Sequence, residues 1–370
     1  MATDAIGLYV HIPFCVRKCN YCDFCSFSVS TVTWRDKYID HLVSEIRSYK
    51  DKNIRLDSIF FGGGTPSLLS PSEFSRIASE IRECFDVSSD CEFSVEVNPK
   101  TLDGEKLKAF KDCGVNRLSI GLQSIHENEL KILGRIHLYQ DFLASYNMAR
   151  EYGFDNINID LMYGIPEQTI ESFGITLDTI LALKPEHISV YGLIIEEGTP
   201  FFEGYSELCL PGEDCECDMY YLASERLKAA GYSHYEISNY SLPNRECRHN
   251  LKYWNCKEYI GVGVAAYSYF DHIRFGNSDS VTEYLDLFCL QYNQEQTDEP
   301  YEYVMLGLRL KSGISLSEYK SRFGVDLLDG RAELVDRLLK TGYLTNDGDR
   351  IALTERGFYV SNSILTELLS

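Results

Sequence analysis

Apolar positions along the first two hundred residues follow two alternating rhythms. Short apolar runs predict strands beginning near Leu8, Leu56, Glu92, Arg117, Asn156 and His187. Their cores read Ser58-Ile59-Phe60-Phe61, Phe93-Ser94-Val95-Glu96-Val97, Leu118-Ser119-Ile120, Ile157-Asn158-Ile159-Asp160 and Ile188-Ser189-Val190-Tyr191. Between them, apolar residues recur at three- and four-residue steps, the spacing of one helix face. Tyr38, Ile39, Leu42, Val43, Ile46 and Tyr49 make the first stripe, and Phe74, Ile77 and Ile81 the second. Leu102, Leu107 and Phe110, stopped by Gly114 as a C-cap, make a third. Phe142, Tyr146 and Ala149 make a fourth, and Ile175 through Leu183 a fifth. Strands alternating with helices imply a parallel sheet with helices outside. The fold class expected is α/β, a partial (β/α)6 barrel whose open side is closed by a later segment or a ligand. Functional groups then belong at the C-terminal ends of the strands.

After about residue 200 the rhythm changes. Gly204 to Cys217 is turn-rich and acidic, and Met219 to Ala230 reads as a helix ended by Gly231. A Tyr- and Asn-rich stretch and a glycine-rich one follow. From Pro300 the pattern is helix, helix, hairpin, helix; Leu334 to Gly357 resembles a small winged-helix unit, read here as a packing module. Three segments are expected: 1–200 as the barrel, 201–295 as its extension, and 296–370 as a smaller C-terminal α+β, winged-helix-like domain.

Charge and composition narrow the function. The chain carries a formal net charge of −21, which argues against nucleic acid as a partner. An anionic ligand would need a local basic patch. No run reaches the ~20 apolar residues of a membrane span, and the first residues lack a basic signal-peptide region, so a cytoplasmic protein is expected. Thirteen cysteines in such a compartment are mostly free thiols. The 26 tyrosines serve either ordinary packing or a flat, aromatic pocket.

Cys15, Cys19 and Cys22 form a CxxxCxxC cluster after the first strand. Three thiolates can hold a cubane iron–sulfur cluster, which usually takes four, leaving one iron open to a ligand. A zinc site, a compact four-cysteine site including Cys25, and chance remain open from spacing alone. Gly62-Gly63-Gly64-Thr65 follows the second strand, where the lack of side chains lets the backbone approach a ligand. Glu96, Gln123 and Asp160 stand at or just after the next three strand ends, and Arg135 follows nearby with paired donors suited to a carboxylate. Each alone is more often a cap or a structural charge; their repetition at consecutive strand ends is the signal.

Together these residues resemble the radical S-adenosylmethionine (SAM) enzymes. That resemblance implies that the open iron binds the amino and carboxylate groups of SAM, and that one electron cleaves its sulfonium C–S bond to release a 5′-deoxyadenosyl radical. Tyr9-Val10-His11-Ile12-Pro13-Phe14-Cys15 resembles the oxygen-independent coproporphyrinogen III oxidase branch. Tyr235 to Tyr240, His249-Asn250-Leu251-Lys252-Tyr253-Trp254, and Glu302 to Leu310 are similar to the heme chaperones within it. Carried over by motif, Cys15, Cys19 and Cys22 ligate a [4Fe-4S] cluster. Tyr9, Tyr21, Gly63, Gly64, Thr65, Glu96, Gln123, Arg135 and Asp160 contact SAM, with Gly192 through its backbone. His249 becomes the candidate axial ligand of heme iron, against the alternative of a hydrogen-bonded structural histidine; Tyr253 and Trp254 lie against the porphyrin or in the core. The implied partners are heme, a heme-acceptor protein and a reductant such as flavodoxin or ferredoxin, with a homodimer allowed. The oxidase has a longer segment ahead of its cysteines and an extra cysteine two residues after the third; here fourteen residues precede Cys15 and the extra cysteine is Cys25. The expected function is therefore a heme chaperone ahead of a porphyrinogen decarboxylase.

Overall fold

The computed structural model describes residues 5–286, 293–295 and 298–369. Strands β1 (Ile6–Ile12), β2 (Arg55–Gly63), β3 (Asp86–Val97), β4 (Arg117–Gln123), β5 (Ile157–Tyr163) and β6 (His187–Gly192) lie side by side in chain order, all parallel. Helices α1 (Arg35–Arg47), α2 (Pro71–Cys84), α3 (Gly104–Asp112), α4 (Tyr139–Glu151) and α5 (Ile170–Ala182) connect them. Alternation sets the two faces of each strand. Leu8, Val10 and Ile12 of β1, and Ile157, Ile159 and Leu161 of β5, pack in the main core at 0% exposure. The intervening Tyr9, Asn158 and Asp160 line a central chamber. Each fully buried aliphatic side chain contributes about 1.5–3 kcal/mol relative to an exposed one.

Local chemistry fixes where the helices begin. Ser70 and Glu73 form a reciprocal capping box at α2 with Pro71 in the first turn, while Asp103 and Thr169 cap α3 and α5. Two expectations move. Leu102 precedes α3, because Asp103 caps the helix after it. Helix α6 (Glu213–Ala229) starts at Glu213 rather than Met219, so the end of the acidic stretch is helical: Glu213, Asp214 and Glu216 occupy a first turn, where negative charge is favourable.

The sheet grows at both edges. The hairpin β7 (Ser233–Glu236) and β8 (Asn239–Ser241) adds antiparallel to β6. After α7 (Arg248–Trp254), strand β9 (Tyr259–Val262) returns to pair parallel with β1, and β10 (Tyr267–Phe270), β11 (Ile273–Gly276) and β12 (Asn293–Glu295) extend it antiparallel. Twelve strands result, with β12 and β7 at opposite ends, so the barrel stays open among the described residues. The expected boundary at 295/296 abuts residues 296–297, outside the described residues.

The tail has its own core. Helices α8 (Glu299–Gly307), α9 (Leu316–Phe323), α10 (Ala332–Lys340), α11 (Glu355–Tyr359) and α12 (Ser361–Leu369) surround a sheet of β13 (Ile314–Ser315), β14 (Leu344–Asn346) and β15 (Arg350–Leu353). The hairpin follows two helices, as in a winged-helix unit. Val304, Ile351, Leu353, Phe358 and Leu368 fill its interior, and Tyr220 of α6 joins them.

Candidate functional site

A chamber of about 430 Å³ opens at the C-terminal ends of the parallel strands. Cys15, Cys19 and Cys22 all line it, and so do Tyr9, Tyr21, Gly63, Gly64, Thr65, Glu96, Gln123, Arg135, Asp160 and His249. The structure thus brings every sequence-predicted site residue together except Gly192. Gly192 ends β6 beside this chamber, where an added Cβ would meet the Tyr163 hydroxyl at 2.9 Å.

The cysteine loop is clamped from three sides. Phe27 N donates to Pro13 O at 2.7 Å and Val29 N to Cys15 O at 2.8 Å, closing the loop on itself. Cys15 Sγ lies 3.6 Å from Thr65 Oγ1, and Arg135 Nη1 donates to Cys19 Sγ at 3.6 Å. Gly64 N donates to Ile12 O at 2.8 Å, and a Cβ on Gly64 would stand 2.8 Å from Phe14 O. The glycine turn must therefore be bare to pack under the cysteines. Burial pushes the Cys15 thiol up and the Cys22 thiol up to about 11. Cys25 sits beside the loop, its sulfur 3.5 Å from Asp279 O and outside the chamber lining.

Two carboxylates face this pocket. Glu96 Oε2 accepts from Gly63 N at 3.1 Å. Burial, with Asp160 nearby, raises the Glu96 carboxyl to about 8. Asp160 accepts from Asn158 Nδ2 at 2.8 Å, and Asn158 Oδ1 in turn meets His187 Nδ1 at 2.6 Å. Arg135 Nη2 donates to Asn98 Oδ1 at 2.5 Å and to Gly121 O at 2.6 Å. Gln123 holds a positive φ of 74°, an uncommon conformation for a side-chain-bearing residue, at a register shift that ends β4.

Residues that sequence reasoning passed over line the same space: Arg117, Ser119, Asn158, Ser189 and Tyr191 among them. Their signal was the two-residue period of a strand. Asn158 stands two before Asp160, and Ser119 two before Gly121. Arg117 lies 2% exposed with its Nε unpartnered.

His249 is 1% exposed on α7. Its Nδ1 lies 3.0 Å from Ser58 Oγ and its Nε2 2.8 Å from the Tyr253 hydroxyl, while its ring stacks on Phe60 at 5.4 Å. Glu92 accepts from His249 N at 3.1 Å and so anchors the helix start. Burial pushes the imidazole down to about 3, so the ring is neutral.

Comparison with known proteins fits this geometry. A model of the Radical SAM superfamily matches residues 9–180, and one of the HemN C-terminal domain matches 294–360. The chain is 36% identical to the heme chaperone HemW of Lactococcus lactis over 98% of its own length and 96% of the relative's. It is 36% identical to HemW of Bacillus subtilis, with 98% of each covered, and 34% identical to that of Escherichia coli. The chain belongs to the HemW family. As a HemW-family member it also shares the fold of coproporphyrinogen III oxidase, HemN, from Escherichia coli, a radical SAM enzyme, at TM-score 0.87 and 25% identity over 99% of this chain.

The radical SAM kinship of this HemW-family chain implies a [4Fe-4S] cluster and SAM, and the donor set fits both. Among the described residues no three His, Cys, Asp or Glu side chains are poised around a single ion; a cube instead spreads its thiolates over several irons. Three cysteines on one wall, a bare glycine cradle, two carboxylates and the orphaned donor of Arg117 suit a zwitterionic ligand beside such a cube. Among the described residues no helix is long and apolar enough to cross a membrane.

Proposed function

We propose that this protein binds heme and hands it to an acceptor protein, as a heme chaperone carrying a radical SAM centre. The observation that carries the reading is likeness to HemW relatives along nearly the whole of both chains. Cys15, Cys19 and Cys22 would hold the cluster. Glu96 and Asp160 would accept hydrogen bonds from the cofactor's amine and ribose hydroxyls, and Arg135 would meet its carboxylate, with Tyr9, Tyr21, Thr65, Gln123 and the backbone of Gly63, Gly64 and Gly192 around it. When bound, this pair supplies one-electron reductive chemistry at a sulfonium. The chain's own residues orient the ligand and bury it from water: the Asn158–His187 relay fixes Asp160, and Thr65 braces Cys15. Heme is cargo. Its axial ligand would be His249 through Nε2, since neutral imidazole is the ligating form, in exchange for the Tyr253 hydroxyl bond. A small reductant such as flavodoxin or ferredoxin, a cytoplasmic setting and a homodimer complete the proposal, with residues 1–200 as cofactor barrel, 201–295 as heme-binding extension and 296–370 as helical tail.

The shared fold with HemN keeps oxidative decarboxylation of coproporphyrinogen III as the second reading. Paired assays on anaerobically reconstituted protein separate them. Heme binding with transfer to an apo heme protein, and no porphyrinogen turnover with SAM and reductant, supports the chaperone. Turnover without heme transfer overturns it.

A further inference from the structure

A second cavity, of about 670 Å³, lies against the first and is used by nothing described above. It falls within the ~300–1,000 Å³ range of small-molecule sites. Tyr9 and Tyr253 line both spaces, so these two rings form the partition. The far walls are the β10–β11 hairpin and one face of α8, where Glu302, Met305 and Leu306 recur at helical spacing. Tyr253 meets Tyr259 edge-on at 4.5 Å, and Trp254 beside it carries a buried indole nitrogen with no hydrogen-bond partner. On a chain of net charge −21, this cavity gathers cations. Arg274 and Arg322 are paired to Glu302 and Glu299, while Lys257 makes no ion pair among the described residues. Broad aromatic walls, an unpaired donor and local cations suit a flat, apolar ring system with anionic arms.

We propose that this cavity is the bay for a tetrapyrrole disc, and that Tyr253 is the gate between the disc and His249. The inference rests on the heme-binding reading. The hydroxyl that caps His249 Nε2 belongs to the residue that lines the bay, so turning Tyr253 aside exposes the imidazole to a ligand there. Cofactor chamber and cargo bay then share a wall without sharing a ligand.

Titration with hemin and with metal-free protoporphyrin IX, followed by absorbance and fluorescence quenching, tests this on the reconstituted full chain. Leu306→Trp fills the bay and should weaken both ligands by about tenfold or more, roughly 1.4 kcal/mol, with cluster iron unchanged. His249→Ala should abolish the axial signature of hemin yet keep protoporphyrin binding. Tyr253→Phe should speed appearance of that signature. If L306W fails to retain its cluster, Tyr267→Ala and Lys257→Glu, at the bay's outer wall, carry the same expectation. Wild-type protein that binds hemin while these variants bind equally well overturns the bay and leaves the chaperone reading standing. Wild-type protein that binds neither ligand removes both.

Discussion

The two cavities that meet at Tyr9 and Tyr253 are built in opposite ways. The cofactor chamber is made by one repeated unit: each parallel strand delivers a polar residue to the same end, from Thr65 after β2 through Glu96, Gln123 and Asp160. The neighbouring bay is made once, from four segments of the chain: β1, the stretch from the end of α7 through β11, α8, and Arg322 on α9. Repetition fixes a site's position through backbone geometry. Assembly from distant parts fixes it only through tertiary packing.

This difference can be broken from either side, and the largest effect comes from the cysteines. Replacing Cys15, Cys19 and Cys22 together with Ser should abolish cluster iron, while Cys25→Ser retains it; iron and sulfide analysis reads both. Equal iron in all samples would detach the chamber from cluster binding.

The shared scaffold comes next. Phe61 is fully buried between Phe74 at 5.0 Å and Phe93 at 5.4 Å, outside both cavities. Phe61→Ala should cost about 3–5 kcal/mol in denaturant unfolding. A loss below about 1 kcal/mol would mean that this layer does not carry the barrel.

A smaller effect separates the chambers by pH. Glu96 is raised to about 8 by burial and by Asp160. Between the unfolded value near 4.5 and 8, the ligand-free fold holds a proton that the unfolded chain has lost, so Glu96 makes stability fall as pH rises through that window. Bound SAM brings a sulfonium cation and N–H and O–H donors, which favour the ionised carboxylate and expel the proton. Affinity for SAM should therefore rise from pH 6 to 8 by up to about tenfold per unit, with proton release seen by calorimetry in buffers of different ionisation heat. Glu96→Gln should flatten the slope, and a wild-type slope of zero would contradict the role. Porphyrin binding in the bay should not follow this slope.

The smallest effect tests locality. Ser70→Ala removes the α2 cap and should cost about 1 kcal/mol, leaving both ligands bound as before. A change in heme affinity in that variant would show that the bay feels the barrel's outer helices.

The same contrast explains what could be read before the structure was known. The six strands, five helices and the strand-end polar residues are local periodic patterns, so they are legible from Leu8 to Tyr191. The cysteine spacing is equally local. Asn158 and Arg117 were hidden in plain pattern, because an inward-facing polar residue lower on a strand resembles an ordinary core exception. The start of α6 depended on an acidic first turn that reads equally well as a loop. Return of β9 to the edge of β1 is a pairing across some 250 residues that no window of sequence contains. The bay depends on that pairing, and so the choice between packing and a flat pocket for its tyrosines stayed open in the sequence. His249 was visible as a motif with Tyr253 four residues on along the same helix, but its bond to Ser58 emerges only when α7 lies across β2.

The most direct measurement takes cluster iron and heme stoichiometry on the same anaerobic samples of wild type, the triple Cys→Ser variant and L306W. Crossed losses are predicted: the cysteine variant keeps heme without its cluster, and L306W keeps its cluster while binding heme weakly. Parallel loss of both ligands in each variant, or loss of neither, would contradict two adjoining sites with separate ligands.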